Sequence, residues 1–298
     1  MTNHSCPLAV AACRALLLLS LMLTACEKAI TPAQTSADPS APGGGVTLRF
    51  SLYEQEDFTR APTSVTELCS RLNIVVFSTD GSKLKSVAQK DTDANFGTVV
   101  LSLAEGAYSL VVIAHSCDGS ATITSEEKVT FPNNKVTDTF YYYGSLDVTA
   151  EPQTRDLTLR RAVAMFRMVM TDQSLPDQVS KFKFYYLGGS STFSPAAGYG
   201  CVQSKQTEVR PVSAEGVYDI YTMPHSETDE LTKLTITALD AGDNIIGERV
   251  LENIPVTRNK ITRYSDSFFG DSPGSRNGGG DLRLLAEPEW SGVSDYQP

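Results

Sequence analysis

Short runs of alternating apolar and polar residues dominate this chain. Val46-Thr47-Leu48-Arg49-Phe50-Ser51-Leu52-Tyr53 sets Val46, Leu48, Phe50 and Leu52 on one face and their neighbours on the other. That is the pattern of a half-buried strand. Leu72-Asn73-Ile74-Val75-Val76-Phe77 is rich in β-branched residues and stops before the turn pair Asp80-Gly81. Thr98 to Leu103 and Tyr108 to Ala114 flank Ala104-Glu105-Gly106-Ala107, a hairpin loop with a glycine for positive φ. Leu110, Val111, Val112 and Ile113 make that second strand apolar on both faces, which predicts a central position. Phe140-Tyr141-Tyr142-Tyr143 and residues 146–148 close a first block, and Glu151-Pro152-Gln153 reads as the seam. Beyond it, Leu157 to Met170 is long and apolar, and its alternation slips at Arg160-Arg161, predicting a bulge or bend. Further strands are predicted over residues 182–187, 217–223, 234–239, 244–250, 261–269 and 281–286. Only Thr63 to Ser70 offers a helix, of one or two turns. Short strands broken by turn signals at roughly eight- to twelve-residue intervals predict an all-β chain built of sandwiches. We place one over residues 46–152 and the other over 153–298, with an extended C-terminal segment.

The strands are preceded by a different pattern. Arg14 stands before the apolar run Ala15 to Met22, and small residues follow it, the layout of a secretory signal. The run is too short to cross a bilayer, which takes about 20 residues. Leu23-Thr24-Ala25-Cys26 resembles the lipobox of a bacterial lipoprotein signal. That resemblance implies removal of residues 1–25 and acylation of the Cys26 thiol and its new amino group, with palmitate among the chains. An ordinary cleaved signal is the alternative, and it leaves a Cys at that spot unexplained. Residues 26–45 then read as a flexible tether. Pro32, Pro39, Pro42 and Gly43-Gly44-Gly45 forbid regular structure there.

Composition narrows the function. The formal net charge is −10, and the signal takes one positive charge, Arg14, with it. With no basic block, nucleic acid is not expected as a partner. Cys26, Cys69, Cys117 and Cys201 survive cleavage. In an oxidising compartment Cys69 and Cys117, 48 residues apart in one expected domain, fit a disulfide; two buried free thiols are the alternative. Cys201 then has no partner. The spacings match no zinc pattern. His115 and His225, the mature histidines, sit in different expected domains, and no hydrolase, nucleotide-binding or zincin motif occurs. An enzyme, a metal or another cofactor is therefore not expected. Asp91-Thr92-Asp93-Ala94-Asn95 lacks the Gly and Glu of a calcium loop and reads as a polar turn. Tyr141-Tyr142-Tyr143 with Trp290 fits either an aromatic platform for a glycan or rings packed into a core.

Several stretches, taken in order, carry a resemblance. They are Leu101-Ser102-Leu103-Ala104-Glu105-Gly106-Ala107-Tyr108, Leu159-Arg160-Arg161-Ala162-Val163-Ala164-Met165, Ile220-Tyr221-Thr222-Met223-Pro224, and Ile254-Pro255-Val256-Thr257-Arg258-Asn259-Lys260, with Phe268-Phe269-Gly270 and Trp290 after them. Together with the lipobox and tether, the chain resembles the fimbrillin-like subunits of Bacteroidetes type V pili, nearest the anchor or minor-subunit branch. The resemblance implies two tandem transthyretin-like sandwiches and no catalysis. It implies an outer-membrane lipoprotein, surface-exposed as part of a fimbria and active in adhesion and fibre assembly. Its partners would be fimbrial subunits met through strand exchange, the outer membrane through the lipid, and a host protein or glycan. In stem subunits of that family a cut after an Arg removes the first strand, and Arg60 sits where such a cut would fall. Anchors keep lipid and strand. Whether the last strand is donated or stays in its own domain is left open. A glycan-binding surface lipoprotein on similar sandwiches is the alternative function.

Overall fold

The computed structural model describes residues 45–52, 63–270 and 290–297. Cys26, the tether, Arg60 and the strand expected over residues 281–286 lie outside these residues. The first half holds β1 (Gly45–Leu52), β2 (Thr63–Ser64), β3 (Arg71–Phe77), β4 (Lys83–Lys90), β5 (Thr98–Ser102), β6 (Gly106–His115), β7 (Thr122–Ser125), β8 (Lys128–Thr130), β9 (Phe140–Val148) and β10 (Gln153–Arg161). Helix α1 (Val65–Leu68) is one turn, started by Ser64, whose hydroxyl accepts from Thr66 N at 3.3 Å.

Two layers face each other here. One is β2-β1-β10 with β5 also on β1; the other is β9-β6-β3-β4. β10 serves both layers. It runs parallel to β1 from Gln153 to Leu159, then pairs with β9 through Arg160 and Arg161. The slip in alternation at this pair marks the change of sheet. Val46, Leu48, Leu72, Ile74, Leu101 and Val112 fill the space between the layers.

The second half holds β11 (Ala164–Met170), β12 (Lys181–Gly188), β13 (Thr192–Ser194), β14 (Tyr199–Gly200), β15 (Lys205–Pro211), β16 (Val217–Thr222), β17 (Asp229–Leu239), β18 (Ile245–Val256), β19 (Ile261–Asp266) and β20 (Val293–Asp295). The sheets β16-β11-β19-β20 and β15-β12-β17-β18 enclose an aromatic-rich core with Phe166, Phe182, Phe184 and Tyr186. β20 lies parallel to β19 of the same chain, Ile261 opposite Val293.

A third core joins the halves. A small sheet, β14-β13-β8-β7, takes two strands from each. Val75, Phe77, Val111 and Ile113, on the outer face of β3 and β6, pack with Phe193 and Met223 of the second half. β6 is thus covered on both sides, as its apolar run predicts. The seam differs from the expected one. Residues 153–161 belong to the first half's sheets, and the chain changes halves at residues 162–163. The parallel partner of β10 is the distant β1, and such a pairing leaves no local turn signal to read.

Candidate functional site

The first strand has the most telling position. β1 is paired along both edges: to β10 from Val46 to Leu52, and on the other side to β5 through Gly45 to Arg49 and to β2 beyond. Val46 and Leu48 are fully buried and Phe50 nearly so, while Arg49 between them is exposed. Without β1, the edges of β5 and β10 would lose their backbone partners. A trough floored by Leu101, Leu72 and Leu159 would open. Such a slot accepts one extended strand with apolar residues at alternate positions. Arg60 falls between β1 and β2 in sequence, outside the described residues.

The aromatic run divides by face. Tyr141 is buried against Phe193, ring centroids 4.7 Å apart. Tyr142 turns to the first core, and Tyr143 is exposed. Trp290 is buried, stacked on Tyr221 and lying 4.0 Å beneath the Arg161 guanidinium. The three tyrosines and Trp290 therefore do not share one platform.

Cys69 and Cys117 are two separate buried thiols, in place of the bridge their spacing allowed. They face different cores: Cys69 lies between the first half's layers, Cys117 in the core joining the halves. Cys117 Sγ donates to Lys135 O at 3.2 Å, and burial pushes both thiols up. Cys201 is an exposed free thiol. His115 is buried in a hydrogen-bonded set with Asn73 and Cys117, and His225 pairs with Asp229 at 2.8 Å. Asp91 to Asn95 form the β4–β5 turn, where Asp93 Oδ2 accepts from Lys90 N. Among the described residues no group of three His, Cys, Asp or Glu could hold a metal ion.

A family model described as fimbrillin-A associated anchor proteins Mfa1 and Mfa2 matches residues 35–266. No curated protein matches the chain. Among solved structures, a Bacteroides thetaiotaomicron protein described provisionally as polysaccharide binding is 13% identical, with TM-score 0.49, over 69% of this chain and 79% of that one. The fimbrial anchor protein Mfa2 from Porphyromonas gingivalis is 15% identical, with TM-score 0.42, over 70% of this chain and 82% of that one. The tip fimbrial protein Mfa3 of the same organism, C-terminally truncated, is 11% identical, with TM-score 0.42, over 78% and 97%.

Proposed function

The chain belongs to the family of fimbrillin-A associated anchor proteins, and we propose that it is an outer-membrane lipoprotein that anchors a type V-like fimbria or serves as its minor subunit. Residues 1–25 are the removed signal, Cys26 carries the lipid, and residues 26–45 hold the β body off the membrane. Several acyl chains on one Cys make that attachment nearly permanent, where a single chain is marginal. Fimbrial subunits are its partners through strand exchange.

The observation that carries this reading is the place of β1. It is the first strand after the tether, and it is paired on both edges. An anchor must transmit load from lipid to fold along one continuous chain. A cut after Arg60 would leave the lipid joined to the body by non-covalent sheet pairing alone. Intact, the same strand fixes the tether into the centre of a layer. The test is cell fractionation of Cys26→Ala. The variant should appear in the soluble fraction and the fimbriae should be shed with it. Retention on the membrane at high salt would contradict the lipid anchor.

A further inference from the structure

Where the two halves meet, Tyr141, Tyr142 and Tyr143 line a cleft of about 360 Å³. Its chemistry is out of keeping with the rest of the chain. Tyr141 Oη accepts from Arg258 Nη1 at 3.2 Å, and the same nitrogen donates to Gly198 O at 2.8 Å. The Arg258 guanidinium lies over the Tyr199 ring, 4.7 Å from its centroid. Arg160 is the register partner of Tyr141 across β9 and β10, so both project from the same face. Tyr143, 38% exposed, lies two residues along β9 on that face.

The turn over residues 195–198 closes tightly on this pair. Gly198 has φ +76°, and a Cβ there would lie 2.6 Å from Tyr141 Oη and 3.0 Å from Arg258 Nη1. Only glycine takes that conformation at no cost and leaves the Tyr–Arg contact in place. No Asp or Glu lines the cleft. Among the described residues neither Arg160 nor Arg258 has a carboxylate partner within salt-bridge distance. The whole chain carries −10, so two cations grouped without a counter-charge form a local positive site in an acidic protein.

Guanidinium forks take a carboxylate through two parallel hydrogen bonds, and Arg stacked on a ring is already oriented to do so. Tyrosine offers a flat apolar face for the C–H side of a pyranose and a hydroxyl for its polar edge. We propose that this cleft binds a carboxylate-bearing saccharide, a hexuronate unit of an acidic polysaccharide. The site stands apart from the anchor reading and needs neither the lipid nor strand exchange.

The test is calorimetric titration of the full chain in detergent with tri-galacturonate and with its methyl ester, in which each carboxylate is replaced by a neutral ester. The acid should bind, and the ester should bind at least about tenfold more weakly, the loss expected for a charge-assisted pair. Arg160→Gln should weaken the acid at least about tenfold with no shift in thermal unfolding, because the side chain is exposed. Tyr143→Ala should weaken acid and ester alike. Equal binding of acid and ester, wild-type affinity in Arg160→Gln, or no binding of the acid would overturn the proposal. So would tight binding of a tripeptide carboxylate, lost on amidation, where the uronate does not bind.

Discussion

His115 is held in one tautomer by its neighbours. Cys117 N–H donates to Nδ1 at 3.0 Å, so that nitrogen carries no proton, and Nε2–H donates to Asn73 Oδ1 at 3.0 Å. Burial, with the Arg71 charge adding to it, lowers the imidazole pKa from 6.5 to about 4. Between those two values the unfolded chain binds the proton and the folded chain does not. The stability due to neutral His115 is therefore complete above pH 6.5 and drains away as pH falls to about 4, by about 3 kcal/mol in all. Urea midpoints measured across that window should fall steeply in the wild type and less steeply in His115→Asn; identical slopes would contradict the assignment. Arg161 is the second residue on which the halves depend. Its fork meets Asp138 through Nε and Nη2, each at 2.8 Å, and Nη1 donates to Asn259 Oδ1 at 2.9 Å. Its guanidinium lies between the rings of Phe140 and Trp290, 4.6 and 4.0 Å from their centroids. Arg161→Met leaves the Asp138 carboxylate without its partner and should cost about 3–5 kcal/mol in chemical unfolding. A loss below about 1 kcal/mol, the range of an exposed pair, would contradict a structural role. The sequence shows two adjacent arginines at a break in alternation. It does not show which one is buried, because that depends on the distant Asp138, Asn259 and Trp290.

At the scale of elements, β1 follows directly from its alternation. Phe50→Ala should destabilise by about 3–5 kcal/mol, and Arg49→Ala by no more than about 0.5, because the first empties a core site and the second touches solvent. Comparable effects at the two positions, read from denaturant midpoints, would mean that β1 is not seated as described. β3 and β6 were legible from apolar runs instead, since residues 72–77 and 110–115 are buried on both faces. β4 was not, because it is an edge strand, with Leu84 more than half exposed and charged or polar residues along most of its length. β7, β8, β13 and β14 were also missed. Each is two to four residues long, and the small sheet they form is closed by one pairing across the halves, β8 with β13, Phe193 opposite Val129. Too short to carry a period, they leave no mark in a one-dimensional pattern.

At the scale of the whole molecule, two sandwiches were legible and their junction was not. The sandwiches follow from local alternation. The junction follows from a parallel pairing between β1 and β10 and from a core drawing on both halves. The cleft at that junction is hidden for the same reason. Its lining comes from two contiguous runs, residues 141–143 and 195–199, distant in sequence, and Arg160 and Arg258 reach it from elsewhere in the chain. On the anchor reading proposed above, a load entering at β1 passes into β10, which leads into the second half through residues 162–163. The most direct test of the anchor account is mass spectrometry of the chain taken from native outer membranes. The account predicts an N-terminus at Cys26 carrying acyl groups, on a chain continuous through Arg60. An N-terminus at Ala61 would contradict it and make the chain a polymerising subunit stripped of its first strand.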